Sequence, residues 1–396
     1  GMRLGDVVSL IRGNTYKSSL LSETEGPILL GLGSIDRNGG YKYSARKHYP
    51  GPSDEKILLH PGDLFASLKD LTQKCELLGS VARVPQDVAE GRLTQDTVKL
   101  VFEDGATEWD KRYVYWSLRT PQYRAYCKSH GMGTTNMSLS REDFLSWMLP
   151  VRSKHNDLLV EQFELIDEKI SVNNQINDYL DEMIRVLFVH EILGTIDDTW
   201  RRASLLDIAS YKNGLAMQKY RPEGDDPGLP VLKIKELARG RCDADTERCR
   251  SNIDESVKIH DGDLIFSWSG TLLLDFWAGG DAGLNQHLFK VTSKNYESWF
   301  SYLWTNYHMR KFIMLAKDRA TTMGHIKRSA LAESEVYIPS ESRMNELKKK
   351  FDPLVKKTVS LKTESRILSE LRDELLPKLI SGKIDVSNNE VLVEGL

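Results

Sequence analysis

The sequence has no hydrophobic run long enough to cross a membrane and no strong excess of charge of one sign. A membrane-spanning helix needs about 20 consecutive apolar residues, and no stretch of this 396-residue chain approaches that length. Its first residues, GMRLGDVVSL, lack the basic and then long apolar pattern of a signal peptide, so we expect a cytoplasmic protein without a membrane partner. With a formal net charge of −3, any nucleic-acid-binding face must be local and balanced by acidic surface elsewhere.

The sequence also lacks the residue patterns of disulfide scaffolds, metal sites and common catalysts. Its four cysteines contain no C-x-x-C pair, which is typical of a reducing compartment and predicts neither a disulfide framework nor a zinc site. There is no G-x-x-x-x-G-K-[ST] phosphate loop, no Asn-Pro-Pro-Tyr-like methyltransferase run, and HEILG lacks the second histidine of a zinc protease. We therefore expect no catalytic residue, no metal and no cofactor bound by this chain.

What the sequence does contain is a long internal repeat. A chain of this length accommodates two or three domains, and the repeat predicts the order mixed domain, long helix, mixed domain, long helix. The turn glycines Gly62 and Gly262, in HPGD and HDGD, are each expected to have the positive φ of a turn that opens a strand. The repeated segments are residues 4–13 with 205–214, 60–67 with 260–267, and 93–101 with 284–292.

Two segments have the spacing of long helices that pair with each other. Apolar and small polar residues alternate three and four apart, which is typical of a coiled-coil seam, at a constant offset of 188 residues between the two segments. Neither helix could bury its stripe alone, so we predict that they pack antiparallel and that Gly194 and Gly382 end them as left-handed caps. The predicted seam comprises Phe163, Ile166, Ile170, Asn173, Asn177, Leu180, Ile184, Leu187, Phe351, Leu354, Leu361, Leu368 and Leu375.

The two mixed segments carry loops rich in basic, amide and aromatic side chains. RNGGYKYSARKHY at residues 37–49 and KDRATTMGHIKR at residues 317–328 are the clearest examples. Lysine and arginine neutralise phosphates or bond to guanine, and asparagine and glutamine suit adenine. For any one of these residues a solvated surface position is the alternative, but a set repeated on two domains favours DNA binding.

The order of the repeat and several motifs resemble the specificity (S) subunits of type I restriction–modification enzymes. LRDELLPKLISGKID, at residues 371–385, is similar to the end of the second conserved helix of that family. GDLIFSWSGT at 262–271, GLNQHLFKV at 283–291 and TTMGHI at 321–326 look like recurring elements of its target recognition domains. The resemblance extends over essentially the whole chain and is weaker in the first recognition domain.

The resemblance implies an α+β chain in which two mixed α/β target recognition domains are separated by a pair of long helices. These helices would form an antiparallel coiled coil, and the whole chain an internal pseudo-twofold, circular repeat. The implied domains are residues 1–150 (target recognition domain 1), 151–197 (central spacer helix), 198–340 (target recognition domain 2), 341–385 (C-terminal spacer helix) and 386–396 (a loose tail).

The resemblance also implies a non-catalytic role in a larger complex. Each recognition domain would read one half of a bipartite double-stranded DNA target, while the helix pair sets the spacer and docks two methylation (M) subunits. Restriction (R) subunits would complete the type I site-specific endonuclease. Adenine-N6 methylation and cleavage, with their S-adenosylmethionine, ATP and Mg, would belong to those other subunits.

Under this interpretation DNA contacts come from both domains. Two alternatives stay open: a coiled-coil scaffold that binds proteins and no DNA, and a truncated restriction–methylation fusion that is itself an enzyme. The expected DNA-binding residues are Arg37, Lys42, Tyr43, Arg46, Lys69, Lys74, Thr134, Thr135 and Asn136 in the first domain, and Lys212, Arg221, Trp268, Ser269, Asn285, Gln286, His287, Arg319, Thr321, Thr322, His325 and Lys327 in the second.

Overall fold

The computed structural model describes residues 1–43, 46–317 and 326–381, which fall into two compact units. The first unit comprises Gly1–Asp167 together with the chain from Glu370 onward, and the second comprises Glu168–Ser369. Each unit mixes short strands with helices, so the predicted mixed α/β character is confirmed.

The described part of the first unit contains short strands arranged in three sheets. They are β1 (Val8–Arg12), β2 (Ile28–Leu30), β3 (Leu58–Leu59), β4 (Leu64–Ser67), β5 (Lys69–Asp70), β6 (Val81–Arg83), β7 (Gly91–Leu93), β8 (Thr97–Phe102) and β9 (Met137–Ser138). The largest sheet is antiparallel with the order β1-β8-β4-β6. A second sheet has the order β2-β7-β3, with β2 parallel to β7, and β5 pairs with β9.

The helices of the first unit pack their aromatic side chains onto the larger sheet. They are α1 (Glu108–Ser117), α2 (Pro121–His130), α3 (Arg141–Leu145) and the first part of α4 (Lys154–Leu187). α1 and α2 are separate because Thr120 caps α2 and Pro121 has no backbone N–H to continue α1. Trp116, Tyr123 and Phe163 are fully buried in the resulting core.

The second unit repeats this plan with one longer helix. Its strands are β10 (Arg201–Ser204), β11 (Ser210–Asn213), β12 (Leu229–Leu232), β13 (Arg248–Cys249), β14 (Lys258–Ile259), β15 (Leu264–Ser267), β16 (Leu273–Phe276), β17 (Ala282–Leu284), β18 (Leu288–Thr292) and β19 (Glu335–Ile338). Its helices are α5 (Leu205–Ile208), α6 (Ile234–Arg239), α7 (Ser298–Lys317), α8 (Arg328–Ala332) and most of α9 (Glu341–Leu375); α10 (Lys378–Ser381) follows in the first unit. The sheets have the orders β11-β18-β15-β16, β13-β12-β17-β14 and β10-β19.

Within the second unit, α4 and α9 run antiparallel. Asn173 Nδ2 donates to Glu364 Oε2 at 2.8 Å and to Ser365 Oγ at 3.2 Å. Further along the chain Glu191 contacts Arg343, at 3.0 Å, so higher numbers on one helix meet lower numbers on the other. Every residue of the predicted seam is buried or half-buried.

The glycine predictions have different outcomes. Gly62 and Gly262 have φ values of +90° and +92°, so the predicted turns are confirmed. The predicted left-handed cap at Gly194 is wrong, because α4 continues through a π turn at Phe188–Ile192 and a 3-10 turn at Leu193–Thr195. The Thr195 hydroxyl donates to the Glu191 carbonyl at 2.7 Å, which satisfies a helix-end acceptor without a positive φ. Gly382 lies outside the described residues.

The end of α4 contains an ion-pair cluster that predicts a pH-dependent stability. Glu191 accepts hydrogen bonds from Lys350 at 2.6 Å and Arg343 at 3.0 Å, and these bonds hold its pKa at about 2. An unfolded glutamate has a pKa of about 4.3. Because the folded-state pKa is the lower one, the stabilisation is present above pH ~4.3 and is lost as the pH falls through about 2.

We therefore expect Glu191→Gln to lower the free energy of unfolding at pH 7, and the deficit relative to the native chain to shrink between pH ~4.3 and about 2. Urea unfolding across this pH range measures it. Glu182→Gln, an exposed change on the same helix, is the matched control and should have little effect. A deficit that is constant with pH would contradict the assignment.

Candidate nucleic-acid interface

In the second unit, three loops meet at one end of the largest sheet. Strand pairing places the end of β11 at Asn213 opposite Phe289, and the end of β15 at Ser267 opposite both Leu288 and Leu273. The loops 214–217, 268–272 and 285–287 therefore emerge at the same end. We call this end the loop edge of the second unit.

Five residues predicted to bind DNA come together at this loop edge. Ser269 Oγ lies 3.2 Å from His287 Nδ1, and the Trp268 ring stacks on Phe289 with centroids 5.6 Å apart. Asn285 Oδ1 accepts a hydrogen bond from the His287 backbone N–H at 3.2 Å. Ser269 and Asn285 are buried and shape the turns, whereas Gln286 is exposed and His287 is half-buried, so the last two are accessible to a ligand.

The other predicted residues of the second unit are placed differently. Lys212 bonds to the Ser256 hydroxyl, and Arg221 forms an ion pair with Glu247 at 2.9 Å. Arg319, Thr321, Thr322 and His325 lie outside the described residues. The described chain resumes at Ile326, whose backbone N–H donates to the Trp268 carbonyl at 3.1 Å, and exposed Lys327 follows it at the loop edge.

The opposite end of the same sheet is occupied by α9. Arg366 donates to the Ala278 carbonyl at 2.9 Å and pairs with Asp261 at 2.8 Å. Lys362 pairs with Asp275 at 2.5 Å. α9 is therefore attached at the end of the sheet opposite the loop edge.

The first unit has a corresponding loop edge. β1 ends at Arg12 and β4 ends at Ser67, both beside the start of β8 at Thr97, so the loops 13–17, 68–80 and 94–96 emerge together. Lys69 Nζ pairs with Asp96 Oδ1 at 2.9 Å, and Arg12 Nε donates to the Gln95 carbonyl at 2.9 Å.

The remaining predicted residues of the first unit divide by exposure. β5 pairs with β9 with Asp70 opposite Met137, so the exposed Thr134, Thr135 and Asn136, just before β9, lie beside residues 71–73 of the loop 68–80, and Gln73 donates to the Thr134 carbonyl. Lys42, Tyr43 and Lys74 are also exposed. Arg37 pairs with Glu76 at 2.9 Å and Arg46 with Asp87 at 2.8 Å, so both cations are engaged within the unit.

Three residues at the first loop edge were missed by the sequence analysis. Arg12 and Asp96 make the contacts above, and the repeat offered a signal for Asp96, because it aligns with His287. Arg92 has no such signal: the residue is 1% exposed, and its guanidinium lies 4.8 Å from the Tyr49 ring centroid and donates to the Thr15 carbonyl at 3.0 Å. Burial lowers the pKa of Arg92, whose contacts fix the loop after β1.

Within residues 1–43, 46–317 and 326–381, no three His, Cys, Asp or Glu side chains are grouped so that they could hold a metal ion. None of the helices in those ranges is long and apolar enough to span a bilayer.

The turn after β15 predicts a stability effect. The buried Ser267 hydroxyl bonds to the carbonyls of Thr271, at 2.7 Å, and Ser269, at 3.2 Å. Ser267→Ala removes their donor, so we expect the free energy of unfolding to fall by about 1–3 kcal/mol. Ser210→Ala, at an exposed position on the opposite end of the sheet, should change it by less than ~0.5 kcal/mol. Equal losses in chemical denaturation would contradict this role of Ser267.

Comparisons with known proteins agree with this architecture. Residues 197–371 match the family described as the type I restriction modification DNA specificity domain. The chain is 21% identical over 333 residues to the type I restriction enzyme MjaIX specificity subunit of Methanocaldococcus jannaschii, covering 76% of this chain and 74% of that protein. It is 21% identical over 206 residues to the EcoBI specificity subunit of Escherichia coli, covering 50% of this chain and 42% of that protein.

The fold has also been seen in a solved structure. The S subunit of a type I restriction–modification system from M. genitalium superposes with a TM-score of 0.52 at 15% sequence identity, covering 96% of this chain and 95% of that one. This likeness concerns the fold. Residues 197–371 therefore match the DNA specificity domain of type I restriction–modification enzymes, and the chain as a whole is similar to the specificity subunits of these enzymes.

Proposed function

We propose that this chain reads a bipartite sequence in double-stranded DNA, with one half-site read at each loop edge. The observation that carries the proposal is that both loop edges have the same backbone scaffold. Gly13 N donates to Thr97 O at 3.1 Å, as Gly214 N does to Leu288 O at 3.1 Å. Such duplicated scaffolds support two readers related by an internal pseudo-twofold repeat.

A second pair of matching contacts closes the turns at residues 94–96 and 285–287, which precede β8 and β18. Thr94 N donates to Leu30 O at 3.3 Å, and Asn285 N donates to Leu232 O at 3.1 Å. Thr94 also bridges to Asn14 just as Asn285 bridges to Leu215. Side chains on these turns can therefore differ without a change of backbone, which is what two different half-sites require.

In this function the chain directs chemistry that other subunits perform. It is not an enzyme: methylation of adenine N6 belongs to M subunits and cleavage to R subunits, in a cytoplasmic complex. S-adenosylmethionine, ATP and Mg are bound by those subunits. Recognition presents one adenine of each half-site for extrusion into an M-subunit pocket. With a net charge of −3 on this chain, the M subunits supply much of the phosphate neutralisation.

The long helices set the spacing between the half-sites. α4 has 34 residues and α9 has 35, so each is roughly 50 Å long at ~1.5 Å per residue. This length corresponds to about one and a half turns of duplex at ~34 Å per turn. The buried Asn173 in the seam favours one register, since a polar seam residue must meet a polar partner. We propose that the pair is a coiled coil acting as a ruler.

The outer face of α4 supports the docking of M subunits. Val172, Tyr179 and Val186 recur every seven residues and are 42%, 71% and 60% exposed, with Met183 beside them at 48%. A regular apolar stripe on a helix is the pattern that packs against another helix. We propose that it receives an apolar helical face of an M subunit.

The function is tested by assembling the chain with its M subunits and mapping the methylated adenines in a genome or random library. We expect methylation at one split sequence with a fixed spacer, and duplex binding that weakens as salt rises. A complex that assembles but methylates no defined sequence, or binds no duplex, would instead indicate a protein scaffold.

The docking face is tested with Tyr179→Glu combined with Val186→Glu. Because an apolar contact cannot bury the new charges, we expect the M subunits to stop co-purifying while the thermal midpoint of this chain stays close to that of the native protein. Asn174→Glu, an exposed change on another side of α4, is the matched control and should leave the complex intact. Retention of M subunits by the double variant would place the contact elsewhere.

A further inference from the structure

At equivalent positions, the two loop edges make the same contact with different side chains. Arg12, the last residue of β1, donates from Nε to the Gln95 carbonyl at 2.9 Å. Asn213, the last residue of β11, donates from Nδ2 to the Gln286 carbonyl at 3.1 Å. Each contact ties a strand end to the middle residue of the neighbouring turn, so the two turns are held in the same place.

A second matched contact joins the third residue of that turn, Asp96 or His287, to the loop that follows β4 or β15. Ser67 and Ser267 end β4 and β15, and each hydroxyl bonds to the carbonyl two residues later, on Lys69 and Ser269. This shared turn places Lys69 Nζ 2.9 Å from Asp96 Oδ1 in the first unit. In the second unit it presents Ser269 to His287 at 3.2 Å. Asp96 and His287 thus occupy the same place in the two readers.

We propose that Asp96 and His287 are specificity-determining residues that contact a base edge, and that Lys69 and Ser269 position them. The inference rests on the proposed function and deepens it. A carboxylate only accepts hydrogen bonds, so Asp96 selects a base that presents an amino group in the major groove, cytosine N4 or adenine N6. His287 both donates and accepts, so the second half-site has a different preference at the equivalent base pair.

The exposure of the Lys69–Asp96 pair supports a positioning role. The two side chains are 44% and 25% exposed, and an ion pair so open to water adds little to stability. Its effect is to restrict the orientation of the carboxylate beside solvent, where a base can approach.

The decisive experiment maps methylation by the chain assembled with its M subunits on a library in which both half-sites are randomised. Asp96→Asn keeps the size of the side chain and adds a donor. We expect discrimination at one base pair of the first half-site to fall roughly 5- to 150-fold, with the second half-site unchanged. Asp104→Asn is the matched control, since Asp104 is exposed beyond the other end of β8 and should change neither half-site.

The reciprocal variant, His287→Gln, should relax only the second half-site. His287→Gln also tests the inference if thermal denaturation shows that Asp96→Asn does not fold. Identical target sequences for folded variants and the native chain would overturn the inference while leaving the proposed function intact. If the native complex itself methylates no defined sequence, the proposed function has failed as well.

Discussion

In each unit, the arrangement depends on how the long helices are attached to one end of an antiparallel sheet. In the first unit, Arg83 at the end of β6 makes two hydrogen bonds to Glu164 of α4, at 2.7 and 2.8 Å, and Trp116 donates to the same carboxylate at 2.6 Å. In the second unit, Arg366 of α9 attaches to the loops at the corresponding end and Lys362 attaches to Asp275 of β16. Because hairpin loops emerge from both ends of such a sheet, this attachment leaves the other end available for a ligand.

The polar groups buried along the helices carry a cost that has a structural use. In the first unit the half-buried Asp167 pairs with the buried Arg119 at 3.1 Å and the buried Arg372 at 2.7 Å, and these two cations hold its pKa below the usual range. In the second unit Asn173 bonds across the helix pair. Apolar residues would give similar or greater stability at such positions. Polar partners that must meet each other disfavour a slipped register, and a spacer helix needs one register.

The sequence predicted the features that depend on local pattern. The three-and-four spacing identified residues that are buried or half-buried in α4 and α9, and the G-D turns predicted the positive φ of Gly62 and Gly262. The predicted left-handed cap at Gly194 was wrong because the helix ends with a π turn and a hydrogen bond from the Thr195 hydroxyl, which no short sequence pattern encodes.

The candidate site was harder to predict because the partners of a charged residue are distant in sequence. Arg37 and Arg46 were expected to bind DNA, yet in the structure they form ion pairs with Glu76 and Asp87, which are distant in sequence. Asp96 was not among the expected DNA-binding residues, and only its equivalence to His287 in the repeat draws attention to it. Position in a repeat was therefore more informative than charge.

The two loop edges differ in electrostatics although they share a scaffold. The first presents two cations and one anion, Arg12, Lys69 and Asp96, whereas the second presents Asn213, Ser269 and His287. Water screens the exposed Lys69–Asp96 ion pair, so its attraction is weak in the free protein. Exclusion of that water would strengthen the attraction but would also remove hydration from both charges, whereas the neutral hydrogen bonds at the second loop edge carry no such cost.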